Sequence, residues 1–94
     1  MTESGANLAA FLEMIAAERG AAQNTLDAYS RDLAEFLAFL DGRSRTAVSA
    51  DTKDIQAYLH AIMEDGLAPA SRARRLSSIR QFYKFLSSES VVTI

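Results

Sequence analysis

Ninety-four residues allow one compact domain with a single core and leave little room for a catalytic cleft. A hydrophobic fraction of 49% against 23% charged residues excludes a disordered chain, the absence of cysteine excludes disulfides and thiolate metal sites, and a lone histidine offers no partner for metal binding. The net charge of −2 excludes a uniformly basic surface, so any anion-binding face must come from how the charge is distributed.

Four amphipathic segments read as helices, and no sustained period-two alternation argues for strands, so the fold class is all-α. The first helix is expected to start at Asn7, a good N-cap, to place Leu8, Phe11, Leu12 and Ile15 on one stripe, and to stop at Gly20. The second is capped by Asn24 or Thr25 and runs to about Leu40, with Leu26, Tyr29, Leu33, Phe36, Leu37 and Leu40 at helical spacing before Gly42. Arg43 to Ala50 is polar, small and aperiodic, and reads as a loop. Asp51 or Thr52 caps a third helix with the stripe Ile55, Tyr58, Leu59, Ile62 and Met63, ending at Gly66. Pro69 suits the first turn of a fourth helix, where its missing N–H costs nothing, and that helix extends to about Ser88. At 100° per residue, Leu76, Ile79, Phe82, Tyr83 and Leu86 form its core stripe, with Arg74, Ser78, Gln81 and Phe85 on the opposite side. The apolar end Val91-Val92-Thr93-Ile94 is an odd terminus for a native domain, and a following domain is the simplest expectation.

Charge is unevenly placed. Residues 1–41 hold two basic and seven acidic side chains (net −5), residues 42–68 three and four (net −1), and residues 69–94 five and one (net +4). The basic charge gathers on the fourth helix with Ser71, Arg72, Arg74, Arg75, Ser77, Ser78, Arg80, Gln81 and Lys84. Guanidinium forks pair with phosphate or guanine edges, hydroxyls with phosphate oxygens and an amide with adenine, so this set suits duplex DNA. The same pattern also describes a solvated helix face. Thr25, Ala28 and Arg31 lie on the outer side of the second helix and could anchor a backbone. Equally, Thr25 serves as a cap or first-turn residue, and Arg31 can pair with Asp27 or Glu35 at i, i+4 spacing. Tyr29 belongs to the core stripe with its hydroxyl at the surface, and His60 reads as a surface residue. Phe39 and Phe85 fall away from the stripes, and with the apolar tail they define the alternative of a helical protein-interaction domain. A self-contained enzyme has almost no residues to support it.

The chain resembles the N-terminal core-binding (SAM-like) domain of bacterial tyrosine recombinases and phage integrases over nearly its whole length. The matching residues are Phe11-Leu12-Glu13 and Glu18-Arg19-Gly20, then Asn24-Thr25-Leu26, Tyr29, Arg31-Asp32-Leu33 and Phe36. Asp54-Ile55-Gln56-Ala57-Tyr58-Leu59 continues the match, followed by Ala73-Arg74-Arg75-Leu76-Ser77, Ile79-Arg80, Phe82-Tyr83 and Phe85-Leu86. No one of these is specific; four in order at the right spacing are. The resemblance implies a compact four-helix bundle spanning 1–94 that covers one side of duplex DNA, beside other recombinase protomers, while an absent C-terminal domain supplies the catalytic tyrosine set. It supports Thr25, Tyr29, Arg31, Arg74, Ser77 and Arg80 as contacts, whereas Arg72, Arg75, Ser78, Gln81 and Lys84 rest on the helical wheel. It further implies no catalytic residue in this chain, no cofactor, metal, membrane or small-molecule partner, and a cytoplasmic, nucleoid-associated setting. Two departures stand out: Ala68 replaces the usual serine or threonine before the helix-opening proline, and Val91 to Ile94 lacks the usual acidic, proline-containing turn. About four neutralised phosphates would give a log–log salt slope near −3.6 for duplex binding.

Overall fold

A computed structural model describes residues 3–89 and contains four helices, α1 (Glu3–Arg19), α2 (Gln23–Gly42), α3 (Thr52–Glu64) and α4 (Pro69–Ser88), with no strand among the described residues. The all-α expectation holds. The apolar end 91–94 lies outside the described residues.

Helix boundaries follow local chemistry, with two corrections. Helix α1 begins at Glu3 rather than Asn7: an acid in the first turn suits the macrodipole, and the Ser4 hydroxyl accepts from the Ala47 amide (3.0 Å). Asn7 is thereby carried inside the helix, and its buried Nδ2 has no hydrogen-bond partner among the described residues. Gly20 adopts φ +58 just past the helix, as the sequence suggests. Helix α2 starts at Gln23, with Ala22 as an N-cap that has no side-chain bond; Ala22 O accepts from the amides of Thr25 and Leu26 instead. Asn24 and Thr25 are therefore first-turn residues and not caps, and the helix runs two residues past Leu40 to Gly42. Asp51 does cap α3, and its carboxylate accepts from Asp54 N (3.1 Å) while Asp54 Oδ2 accepts from Asp51 N (3.0 Å), a reciprocal box. Pro69 opens α4 as expected, behind an Ala68 N-cap with no side-chain bond.

Helix α4 packs on all three other helices, which explains a third correction. Phe85 and Ser78, placed by the wheel on the outer side, are 9% and 5% exposed. A helix flanked by neighbours on two sides buries an arc much wider than one stripe. Phe11 of α1 is fully buried and meets Tyr29 of α2 edge-on (5.6 Å between ring centroids), Phe82 (5.7 Å) and Phe85 (5.8 Å) of α4. Phe36 of α2 similarly meets Tyr58 of α3 (5.2 Å) and Tyr83 of α4 (6.3 Å). Phe82 and Tyr83 are themselves in edge contact (5.5 Å), so these rings form one aromatic cluster that locks the four helices in one core.

The loop after α2 is packed rather than loose. Ala47 and Ala50 are buried, and the Tyr83 hydroxyl donates to Ala47 O (2.7 Å), so both backbone groups of Ala47 are satisfied by side chains from α1 and α4. Arg43 and Arg45 meet the buried Asp54 carboxylate at 3.1 and 3.5 Å. The Asp51 amide, together with those two arginines, holds the Asp54 carboxyl below its ordinary value of 3.8 against the opposing effect of burial.

Candidate nucleic-acid interface

A groove of about 420 Å³ separates the N-terminal half of α2 from α4, lined by Asn24, Thr25, Ala28, Tyr29, Asp32, Arg74, Ser77 and Ser78. The fold therefore gathers Thr25, Tyr29, Arg74, Ser77 and Ser78, which are some fifty residues apart in the chain. Tyr29 is half-buried against Phe11, as its place on the core stripe implies. Ser78 lies at the floor, where its hydroxyl donates to Arg74 O (3.2 Å), so it supports the helix backbone rather than standing at the surface.

Arg74 is the centre of this groove. Its Nε and Nη2 donate to the two oxygens of Asp32, both at 3.1 Å, in a side-on bidentate pair. The Asp32 side chain is 2% exposed and that of Arg74 is 51% exposed, so one partner is interior and the other reaches solvent. Sequence reasoning passed over Asp32, yet a signal was present. An acid three residues after Tyr29 and one before Leu33 sits within 60° of the α2 core stripe, and a carboxylate there must be paired.

Arg75 faces the other way. Its side chain is 15% exposed, and Nη1 donates to Glu35 and to the Tyr58 hydroxyl (3.1 Å), between α2 and α3. Burial acts to lower the Arg75 pKa, but the contacts with Tyr58 and Glu35 outweigh it and raise it further, so the residue is a fixed interior cation. Glu35 is thus engaged by Arg75, and Asp27 accepts from Gln23 (2.8 Å). Both acids offered as partners for Arg31 are taken. Arg31 is exposed, makes no ion pair among the described residues and does not line the groove.

Along the outer arc of α4, Ser77, Arg80 and Lys84 are exposed, and the two cations have no ion-pair partner among the described residues. They also border a second, more apolar groove of about 670 Å³ with Ile55, Leu76, Ile79 and Tyr83. Gln81 lies at the edge of this arc and accepts from Arg19 Nη2 (3.3 Å). Arg72 is half-buried at the junction with α3, beside Leu59, His60 and Met63. His60 is exposed and lies 3.6 Å from Glu64, one turn on. The α4 face presented to solvent is therefore Arg74, Ser77, Arg80 and Lys84, with Thr25 from α2 across the groove.

Phe39 and Phe85 do not form an exposed patch. Phe85 belongs to the core, and Phe39 lies tilted against Tyr58 (5.3 Å) beneath the Arg43 guanidinium (5.7 Å). No helix of the described residues is long and apolar enough to cross a membrane, and no cluster of His, Cys, Asp and Glu that could hold a metal is found among them.

Comparison with known proteins fits this geometry. The family described as phage integrase, N-terminal SAM-like domain, matches residues 8–90. The chain belongs to that family. It is 53% identical over 87 residues to the tyrosine recombinase XerD of Agrobacterium fabrum, covering 93% of this chain and 26% of that protein. The tyrosine recombinase XerD of Rhizobium meliloti is 48% identical over 90 residues, or 96% of this chain and 29% of the relative. That of Caulobacter vibrioides is 45% identical over 89 residues, 95% and 29% respectively. The chain thus spans less than a third of the length of these curated relatives. No solved structure matches it. The resemblance to the N-terminal domain of tyrosine recombinases, first carried by four short motifs, is confirmed at the level of the family.

Proposed function

We propose that this chain is a DNA-binding module of a XerD-like site-specific tyrosine recombinase. It lays the α2–α4 face against the backbone of duplex DNA, while strand cleavage and rejoining belong to a separate catalytic domain of the parent protein. The observation that carries this reading is the convergence of Arg74, Ser77 and Thr25 on one groove, continued along α4 by the exposed Arg80 and Lys84. Guanidinium, ammonium and hydroxyl donors on one surface match phosphate oxygens, and the net +4 of residues 69–94 draws a polyanion to this side of a globally acidic domain. A module that touches one side of the duplex leaves the opposite side to the catalytic domain, which is the sense of a clamp. The parent acts on DNA in the cytoplasm, alongside neighbouring protomers on the same duplex.

Arg75 points inward, Arg31 lies off the groove and Arg72 sits at the junction with α3, so three of the six candidate cations, Arg74, Arg80 and Lys84, remain on the face. Titrating the chain against a labelled duplex in increasing salt is expected to give weak binding with a log–log slope near −2.7, about 0.9 per phosphate. Absence of binding at low salt, or binding indifferent to salt, overturns the reading.

A further inference from the structure

We propose that Asp32 is a positioning residue for DNA contact: it holds the Arg74 guanidinium by one edge so that the opposite edge is presented, preformed, to a phosphate. The proposal rests on the DNA-binding reading above and assigns a role to an acidic residue that a charge argument would count against binding. Arg74 has five N–H donors, and the Asp32 carboxylate takes two of them, on Nε and Nη2. The three that remain belong to Nη1 and the far side of Nη2, the end of the fork that can clasp a second oxyanion bidentately. Asp32 is buried and fixed within α2, while half of the Arg74 side chain is in solvent, so the fixed partner dictates the direction of the exposed one. Beneath it, Ser78 bonds the Arg74 carbonyl. Arg75 Nε lies 4.0 Å from the same carboxylate, and its own Nη1 is engaged by Glu35 and Tyr58, so it adds compensating charge to Asp32 without taking the place of Arg74. Arg80 and Lys84, by contrast, have no such tether among the described residues. Ordering a long side chain during folding removes that cost from the binding step, an effect of several-fold in affinity for one arginine.

The two accounts of Asp32 differ in sign. If it merely cancels charge beside a polyanion, Asp32→Asn gains one unit of positive charge and binds duplex more tightly. If it positions Arg74, Asp32→Asn binds about three- to tenfold more weakly at fixed salt, although its net charge is more favourable. Fluorescence anisotropy of the chain with a labelled duplex, below the melting temperature of every variant, separates them. The loss is expected to vanish in an Arg74→Ala background. Arg74→Lys, which keeps the charge but not the fork, is expected to lose a similar several-fold and serves if Asp32→Asn does not fold. Equal or tighter binding by Asp32→Asn overturns the proposal, as does an undiminished loss in the Arg74→Ala background, or wild-type affinity in Arg74→Lys. Failure of the wild-type chain to bind at low salt instead removes the DNA-binding reading itself, and the positioning role with it.

Discussion

Tyr83 shows how one side chain can couple folding to pH. It is 5% exposed, and its hydroxyl donates to the carbonyl of Ala47 in the loop that joins α2 to α3. Burial, assisted by the nearby Asp54 charge, pushes its pKa up from 10.0 to about 12. The neutral phenol is therefore favoured by folding, because the unfolded chain ionises first. Stability from this group is complete below pH 10 and is lost as pH rises from 10 to 12, by about 2–3 kcal/mol. Urea unfolding between pH 8 and 12 is expected to show this decline, which Tyr83→Phe abolishes. The same substitution leaves Ala47 O without its donor and costs about 1–3 kcal/mol at neutral pH. A variant that keeps the alkaline decline would place its source elsewhere.

At the scale of elements, α4 carries both halves of the molecule's character. Its inner arc supplies Ile79, Phe82, Tyr83, Phe85 and Leu86 to the core, and its outer arc supplies Ser77, Arg80 and Lys84 to solvent. Its start is chemically weak. Ala68 has φ −59 and ψ 147, the extended geometry of an N-cap, but no side-chain oxygen to accept from the first-turn amides. Ala68→Ser is expected to stabilise the chain by about 1 kcal/mol and to raise its melting temperature by roughly 4–8 °C, without altering DNA affinity, since the cap lies outside the α2–α4 groove. Calorimetry checks the first effect and duplex titration the second. A stabilised variant with weakened binding would show that the start of α4 participates in the contact.

The existence, type and order of all four helices were legible in the sequence because each stripe is long and periodic and each break is marked by Gly or Pro. Cap positions were less so. Asn7 and Asn24 have good cap chemistry, but the chain stays helical through both, since Glu3 and Ser4 offer an earlier start tied to Ala47, and Ala22 closes the first turn of α2 through its carbonyl alone. The candidate face was legible in its residue types, but the structure places it on a different arc of α4. A wheel built on one stripe assumes one neighbour, whereas α4 has three, which turned Phe85 and Ser78 inward and moved the exposed arc to Ser77 and Lys84. The engagement of Arg74 by Asp32 and of Arg75 by Glu35 joins positions about 40 apart in sequence and could not be read from local spacing.

For the molecule as a whole, the question is whether a domain of net charge −2 can present one basic face, and the answer lies in which cations are already spent. Arg43 and Arg45 share the single Asp54 carboxylate, Arg75 pairs with Glu35, and Arg74 is held by Asp32 with half of its side chain still in solvent, so only part of the basic charge is balanced within the fold. Arg80 and Lys84 are exposed and unpaired among the described residues, and their contribution should appear in binding and not in stability. Replacing both by Gln is expected to change unfolding free energy by less than about 0.5 kcal/mol per site. The salt slope for duplex binding is expected to fall by about 1.8, from near −2.7 to near −0.9, leaving Arg74 as the main remaining charge contact. Anisotropy titrations at several salt concentrations, paired with thermal melts, measure both. An unchanged slope in a folded double variant would mean that DNA meets the bundle on a face other than α4.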